Sequence, residues 1–152
     1  MSVDPSVELL DEGSEDSETA VISWLRPLLP DGAVANARLA GEALLPFIEV
    51  NKVAGEESDE QGWADDLVSV HCLYPRGLGN SGKALAAKFS SDVHRRMLLL
   101  CATLGPVTID GREVGLEYCS VAMGPEWTPY GDERILRKTS RFRVGLPYAK
   151  MS

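Results

Sequence analysis

The sequence predicts an α+β domain, in which a mixed, mostly antiparallel sheet of about four to five strands carries two main helices packed on one face. Three observations predict it. Apolar residues recur at helical spacing through one long segment, about Ser81–Leu104. Elsewhere they alternate at period two in several short runs. An Asp110-Gly111 pair between two of those runs is a strong hairpin signal. The resulting order, helix, strand, strand, helix and then three strands, is that of a layered domain with helices on one side of a sheet.

The elements follow in chain order. Residues 1–16 are read as an acidic flexible arm, and 17–152 as one domain. A first helix is expected over Ser17–Leu25, with Ala20, Val21, Trp24, Leu25 and Leu28 at helical spacing and Ser14 or Ser17 as its cap. Pro27 lacks an N–H and crowds the preceding turn, so the helix ends or kinks near Arg26. Pro30-Asp31-Gly32 marks a turn. The stretch to Leu45 allows one or two helical turns. Pro46–Val53 alternates Ile48 and Val50 against Phe47 and Glu49, as a strand does. Residues 54–66 read as an acidic surface loop. Leu67–Tyr74 is the next strand, with Val68, Val70, Cys72 and Tyr74 on one face.

The glycine-bearing loop 75–80 then leads into the long helix. Its expected apolar stripe is Leu85, Phe89, Val93, Met97, Leu100 and Leu104, with Arg95 and Arg96 off it and Gly105-Pro106 as its stop. Val107–Ile109 and Glu113–Met123 are the arms of the hairpin, the second ended by Gly124-Pro125. Residues 126–137 are expected to form a compact loop. The final strand is Lys138–Tyr148, with Phe142, Val144, Leu146 and Tyr148 inward and Arg141 and Arg143 outward.

Composition excludes several classes of function. The chain has 152 residues, 15 Lys+Arg and 23 Asp+Glu, for a net charge of −8. A basic nucleic-acid footprint over the whole domain is therefore excluded, although a local basic stripe is not. The acids are unevenly spread. Asp4, Glu8, Asp11, Glu12, Glu15, Asp16 and Glu18 lie in the first 19 residues, and Glu56, Glu57, Asp59, Glu60, Asp65 and Asp66 in the 54–66 segment. What remains is mildly basic. The longest strongly apolar run is about six residues, against the roughly 20 of a membrane helix, so no membrane partner is expected. The acidic N-terminal stretch has no apolar segment of the secretory kind. Cys72, Cys101 and Cys119 are odd in number, not at metal-ligand spacing and set in apolar patterns, which reads as buried free thiols in a reducing compartment. His71 and His94 complete no metal-ligand set, so no metal is expected.

The motifs of catalysis are missing. The chain has no GxSxG, no P-loop, no HExxH and no GxGxxG opening a helix after a strand. No enzymatic activity, catalytic residue or cofactor is expected. Gly77–Lys83 imitates a phosphate loop in its position between a strand and a helix, but Lys83 is followed by Ala84. Amide groups at a helix start can still hold an anion. A small phosphate-ligand-binding cytoplasmic protein is therefore the alternative from another class.

Other features point to macromolecular partners. Trp127 and Tyr130 stand in a Pro- and Gly-bearing stretch and are of the type that anchors interfaces; equally, they can cap the open end of their own core. Arg134, Arg137, Lys138, Arg141 and Arg143 follow closely. They form either a solvated sheet face or a charged contact with an acidic neighbour, such as another copy presenting the 56–66 segment. Trp127, Tyr130, Arg134, Arg137, Arg141 and Arg143 are the candidate partner-binding set.

Four stretches then carry a family resemblance: Ala20–Leu28 (AVISWLRPL), Asp66–His71 (DLVSVH), Val93–Leu100 (VHRRMLLL) and Pro129–Leu146 (PYGDERILRKTSRFRVGL). In order and spacing they resemble the tail terminator proteins of long-tailed, non-contractile, siphovirus-type phages of actinobacteria, mycobacteriophages among them. The resemblance covers most of the chain beyond residue 17 but not the acidic arm or the 54–65 segment. It implies a small α/β sandwich and a structural role. Such proteins form a hexameric ring on the last ring of the tail tube, end tube polymerisation and offer a surface to the head-side connector. The partners implied are copies of the chain, the major tail tube protein and the head-side connector or head-completion protein. DNA would pass through the lumen without specific binding, and acidic segments lining it would repel phosphate. The place implied is the virion neck, with assembly in the host cytoplasm. Another phage neck protein, a head-completion adaptor or a minor tail protein, is the nearest alternative.

Overall fold

The computed structural model describes residues 17–30, 32–38, 45–58, 63–77 and 81–147. The expected acidic arm and Tyr148 lie outside them. Helix α1 occupies residues 17–25. Pro27 then forces the change expected of it: the chain tightens into a 3-10 turn over Arg26–Leu28, closed by the Leu29 N–H on the Arg26 carbonyl at 3.3 Å. Gly32 takes a φ of +83°, and the Ala33 N–H returns to Pro30 at 3.0 Å, so the turn read there is present. Five strands follow to make one sheet: β1 (Val34–Ala35), β2 (Phe47–Ser58), β3 (Trp63–Pro75), β6 (Tyr118–Thr128) and β7 (Ile135–Pro147). Their order is β1-β2-β3-β7-β6, with β1 parallel to β2 and every other pair antiparallel. Strands β4 (Val107–Ile109) and β5 (Arg112–Val114) form a separate two-stranded ribbon. The fold class is the expected one.

Helix α2 (Ser81–Thr103) crosses the sheet on the same face as α1. Between them lies the main core, in which Val21, Leu25, Val93, Met97 and Leu100 meet Ile48, Val50, Val68, Val70, Phe142, Val144 and Leu146. Trp24 and Arg96 clasp the two helices reciprocally. The indole N–H donates to the Arg96 carbonyl at 2.7 Å, and the Arg96 Nε–H donates to the Trp24 carbonyl at 2.9 Å. The guanidinium lies 4.1 Å above the ring. A smaller cluster of Ala33, Phe47, Leu73 and Ile135 closes one end of the reverse face, with Leu45 and Tyr130 against it.

Five expectations are corrected. The stretch read as helical turns contains β1, whose pairing with Ile48 and Glu49 is a long-range contact that local Ala and Leu content does not register. Residues 39–44 lie outside the described residues. The supposed acidic loop 54–66 is largely strand. β2 and β3 stay paired to Ser58↔Trp63, because β3 is held on its other edge by β7 down to Pro147. Asp66 is buried, at 1% exposure. The α2 stripe is rotated at its start: Gly82, Ala86 and Ser90 face inward, and Leu85 is 53% exposed. Small residues at those positions let the helix lie close to the sheet.

The second hairpin arm is broken as well. Asp110 and Gly111 adopt φ of +51° and +77°, as a two-residue turn demands, but the chain leaves the ribbon after Val114 and enters the main sheet at Tyr118. Finally, Gly124-Pro125 does not end β6. Register shifts at Val121/Met123 and Met123/Glu126 carry the chain past the proline, and an edge strand tolerates the missing donor. The expected 126–137 loop thus shrinks to 129–134.

One close approach fixes where the β3–α2 connection runs. A Cβ on Gly82 would overlap the Arg76 carbonyl. Gly82→Ala is therefore expected to destabilise the protein by about 1–3 kcal/mol, the usual cost of overpacking. Chemical denaturation checks this, and an unchanged midpoint would contradict the close approach.

Candidate partner-binding surface

The site grows from the β6–β7 hairpin. Thr128 pairs with Arg137 and Trp127 with Lys138, which holds both strand ends rigid on either side of the 129–134 loop. Arg137 orders that loop: its Nε–H donates to Thr128 Oγ1 at 2.9 Å, its Nη2 donates to the Pro129 carbonyl at 2.6 Å, and its guanidinium lies 5.7 Å from the Tyr130 ring centre. Arg76, just past β3, ties the loop from the other side. Its backbone N–H donates to the Arg134 carbonyl at 2.8 Å and its Nε–H to the Glu133 carbonyl at 2.6 Å. Lys83 in the first turn of α2 places its ammonium 5.6 Å from the Trp127 ring centre, and Lys138 places its own at 4.9 Å. An open cleft of about 640 Å³ lies here, with walls that include Arg76, Lys83, Trp127–Glu133 and Ile135–Arg137.

Trp127, Tyr130 and Arg137 of the sequence-predicted set meet in this cleft. Trp127 is a strand residue, not a loop residue, and is 39% exposed. Tyr130 also leans on the second apolar cluster, so for this residue the two readings of the sequence combine: it caps its own core and borders the cleft. Arg134 is not part of the lining. It is a two-bonded partner of Asp132, with Nε and Nη2 each 3.1 Å from a carboxylate oxygen, and this holds the Asp132 carboxyl below its ordinary range. Arg141 and Arg143 lie farther along β7, away from the cleft, on the sheet face that bears His71 and Thr139. Arg143 is exposed and Arg141 half-buried. The sequence reading missed Arg76 and Lys83, which are 51 and 44 positions from Trp127. Their only local signal was the phosphate-loop-like stretch ending at Lys83.

A polar chain leads from the cleft into the reverse face. The Thr128 and Thr139 hydroxyls are 2.8 Å apart, and Thr139 Oγ1 is 2.8 Å from His71 Nδ1. Since Arg137 already donates to Thr128, the ordering that satisfies every group sends the Thr128 proton to Thr139 and the Thr139 proton to a neutral His71. Burial, then the positive charges of Arg137 and Arg141, push the His71 imidazole down to about 4. Among the described residues no group of three or more His, Cys, Asp or Glu is arranged to hold a metal ion. Cys101 Sγ lies 3.3 Å from Cys119 Sγ, and all three cysteines are free thiols. Burial pushes the Cys72 thiol up to about 12. No described helix is long and apolar enough to cross a membrane.

No family model matches the chain, and no curated protein matches it. A solved structure does. The chain shares its fold with a component of a virion. That component is a chain in the virion of a native gene transfer agent (GTA) particle, matched with a TM-score of 0.53 over 91% of both chains, at 9% sequence identity. At that identity the likeness speaks for the architecture alone, but it spans nearly the whole of each chain.

The His71 environment sets a pH dependence. The unfolded chain's imidazole titrates near 6.5 and the folded one near 4, so between those values the unfolded chain binds the extra proton. Stability is therefore lost as pH falls through that window. His71→Gln is expected to lose less melting temperature than the parent protein between pH 6.5 and 4. Equal losses would exclude His71 as a source.

Proposed function

We propose that the chain is a structural protein of a phage-type virion, and within that class a tail terminator. It would form a ring, expected to be hexameric, on the end of a siphovirus-type tail tube, stop tube growth and join the tail to the head-side connector. The observation that carries the virion reading is the fold match to a chain of the GTA particle, a phage-like virion, across 91% of each partner. The finer role is supported by the four sequence stretches that resemble tail terminators, all of which fall on ordered elements: α1 and its 3-10 turn, β3, α2, and the hairpin loop with β7.

The surface supports work by docking. The cleft presents a half-exposed indole among cations, and the outer side of α2 exposes Leu85, Leu98 and Leu99. Such features gain free energy when covered. Ending a polymer needs one ring face that fits the tube end and another that rejects free tube subunits, which is a matter of differential affinity. No turnover is part of this proposal. The ring would work in the virion neck, after assembly in the host cytoplasm, with DNA passing through it unbound.

Mixing purified chain with major tail tube protein tests the role. Tube protein alone should lengthen without limit, and adding the chain should fix tube length and leave an annulus at one end in electron micrographs. Unchanged growth with the chain attached only to head-side components would favour a neck adaptor instead. Trp127→Ala should keep the fold, by circular dichroism, and weaken assembly by about 2 kcal/mol or more, as loss of an interface anchor does. A variant that caps tubes as well as the parent removes Trp127 from the interface.

A further inference from the structure

Two of the three cysteines meet where α2 ends and β6 begins. Cys101 stands in the last turn of α2, and Cys119 is the second residue of β6. Their Sγ atoms are 3.3 Å apart, and both are free thiols. A disulfide needs about 2.05 Å, so closure asks for a shift of roughly 1 Å, within the reach of two side chains. The backbone already holds the two segments together. The Leu116 N–H donates to the Leu104 carbonyl at 2.8 Å, and the Glu117 N–H donates to the Gly145 carbonyl at 2.7 Å. Cys101 is half-buried and Cys119 is 8% exposed, so a small reagent reaches Cys101 first. Cys72, buried on the central strand β3, is the third thiol and serves as an internal reference.

The pair sits at the sheet's edge. β6 is hydrogen-bonded on one side only, to β7, and that pairing is interrupted at Val121/Met123 and Met123/Glu126. Local opening is easiest where backbone hydrogen bonds are few and exposed. We propose that Cys101 and Cys119 form a reversible disulfide that clamps β6 to α2 when the protein passes from a reducing to an oxidising medium. The oxidant is a low-molecular-weight disulfide, such as oxidised glutathione. The Cys101 thiolate attacks it, which forms a mixed disulfide and releases one small thiolate. The Cys119 thiolate then attacks the Cys101 sulfur and releases the second. Two protein thiols become one disulfide, one small disulfide becomes two thiols, and the two protons go to the departing thiolates. Burial, then the hydrogen bond and charge of Cys101, hold the Cys119 thiol above its ordinary range. The last two causes lapse once Cys101 is capped, so the first step eases the second. The closed loop contains the β4–β5 ribbon and restricts the unfolded chain. A virion protein is made in a reducing cytoplasm and persists outside it. That timing rests on the virion reading, while the chemistry stands on the thiol pair alone.

Purified chain incubated with oxidised glutathione, then denatured and titrated for thiols, tests the bond. Free thiols should fall from three to one per chain. Trypsin cuts after Arg112 and so separates the two cysteines; a non-reduced digest should contain residues 97–112 joined to residues 113–134. The melting temperature should rise by about 5–10 °C, and dithiothreitol should reverse the rise. Amide exchange over Tyr118–Thr128 should slow in the oxidised protein. Cys101→Ala should keep its fold by circular dichroism and show no rise. Cys119→Ala should stop at the mixed disulfide on Cys101. Three thiols retained, a wild-type Cys101 capped by glutathione without closure, a bond to Cys72 or a bond between copies would each overturn the pairing. A closed bond that leaves the melting temperature and the exchange of β6 unchanged would overturn the clamp. Each outcome is independent of tube capping, so the virion reading stands or falls separately.

Discussion

The ladder between β3 and β7 is the constraint on which the rest depends. It pairs thirteen residues without a register break, from Trp63↔Pro147 to Pro75↔Ile135. Each strand is also paired on its other edge, β3 with β2 and β7 with β6. This double support fixes which residues face the helices. Val68, Val70, Phe142 and Val144 enter the main core, and His71, Thr139 and Arg141 are left on the reverse face. A one-residue slip would exchange those sets and expose the apolar one to water, so the register is strongly specified.

The same ladder explains the surface. It keeps β2 and β3 paired as far as Ser58↔Trp63, where their own composition is poor for strands. At the opposite end it brings the start of β7 beside Arg76 and Lys83, which enter from the β3–α2 connection. The sheet's edges are treated differently. β1 is only two residues long, and β6 is interrupted by register shifts and Pro125. Both devices discourage uncontrolled strand addition.

The correspondence between sequence and structure is uneven in an instructive way. The end of α1 at Pro27, the Asp110-Gly111 turn and the inward set on β7 were readable because each is governed by neighbours in the chain: ring closure at proline, the need for positive φ, and the two-residue period of a strand. The misreadings share one cause. Gly124-Pro125 and the acids of 54–66 look like breaks locally, yet pairing with β7 directly or through β3 outweighs their weak strand preference. The rotated start of α2 has a related origin. Periodicity favours the bulky Leu85 and Phe89, while close helix–sheet approach favours Gly82, Ala86 and Ser90.

Of the candidate surface, the sequence alone determined the ingredients. It set the aromatic pair Trp127 and Tyr130, the run of cations beside them and the segregation of acids into separate segments, since composition and spacing are properties of the chain itself. Tertiary structure decided which of these meet. It drew Arg76 and Lys83 to Trp127, sent Arg141 and Arg143 elsewhere, and gave Arg134 to Asp132, because proximity across a sheet is set by strand order and register. Those depend on burying a common core, and no local window of sequence contains that information.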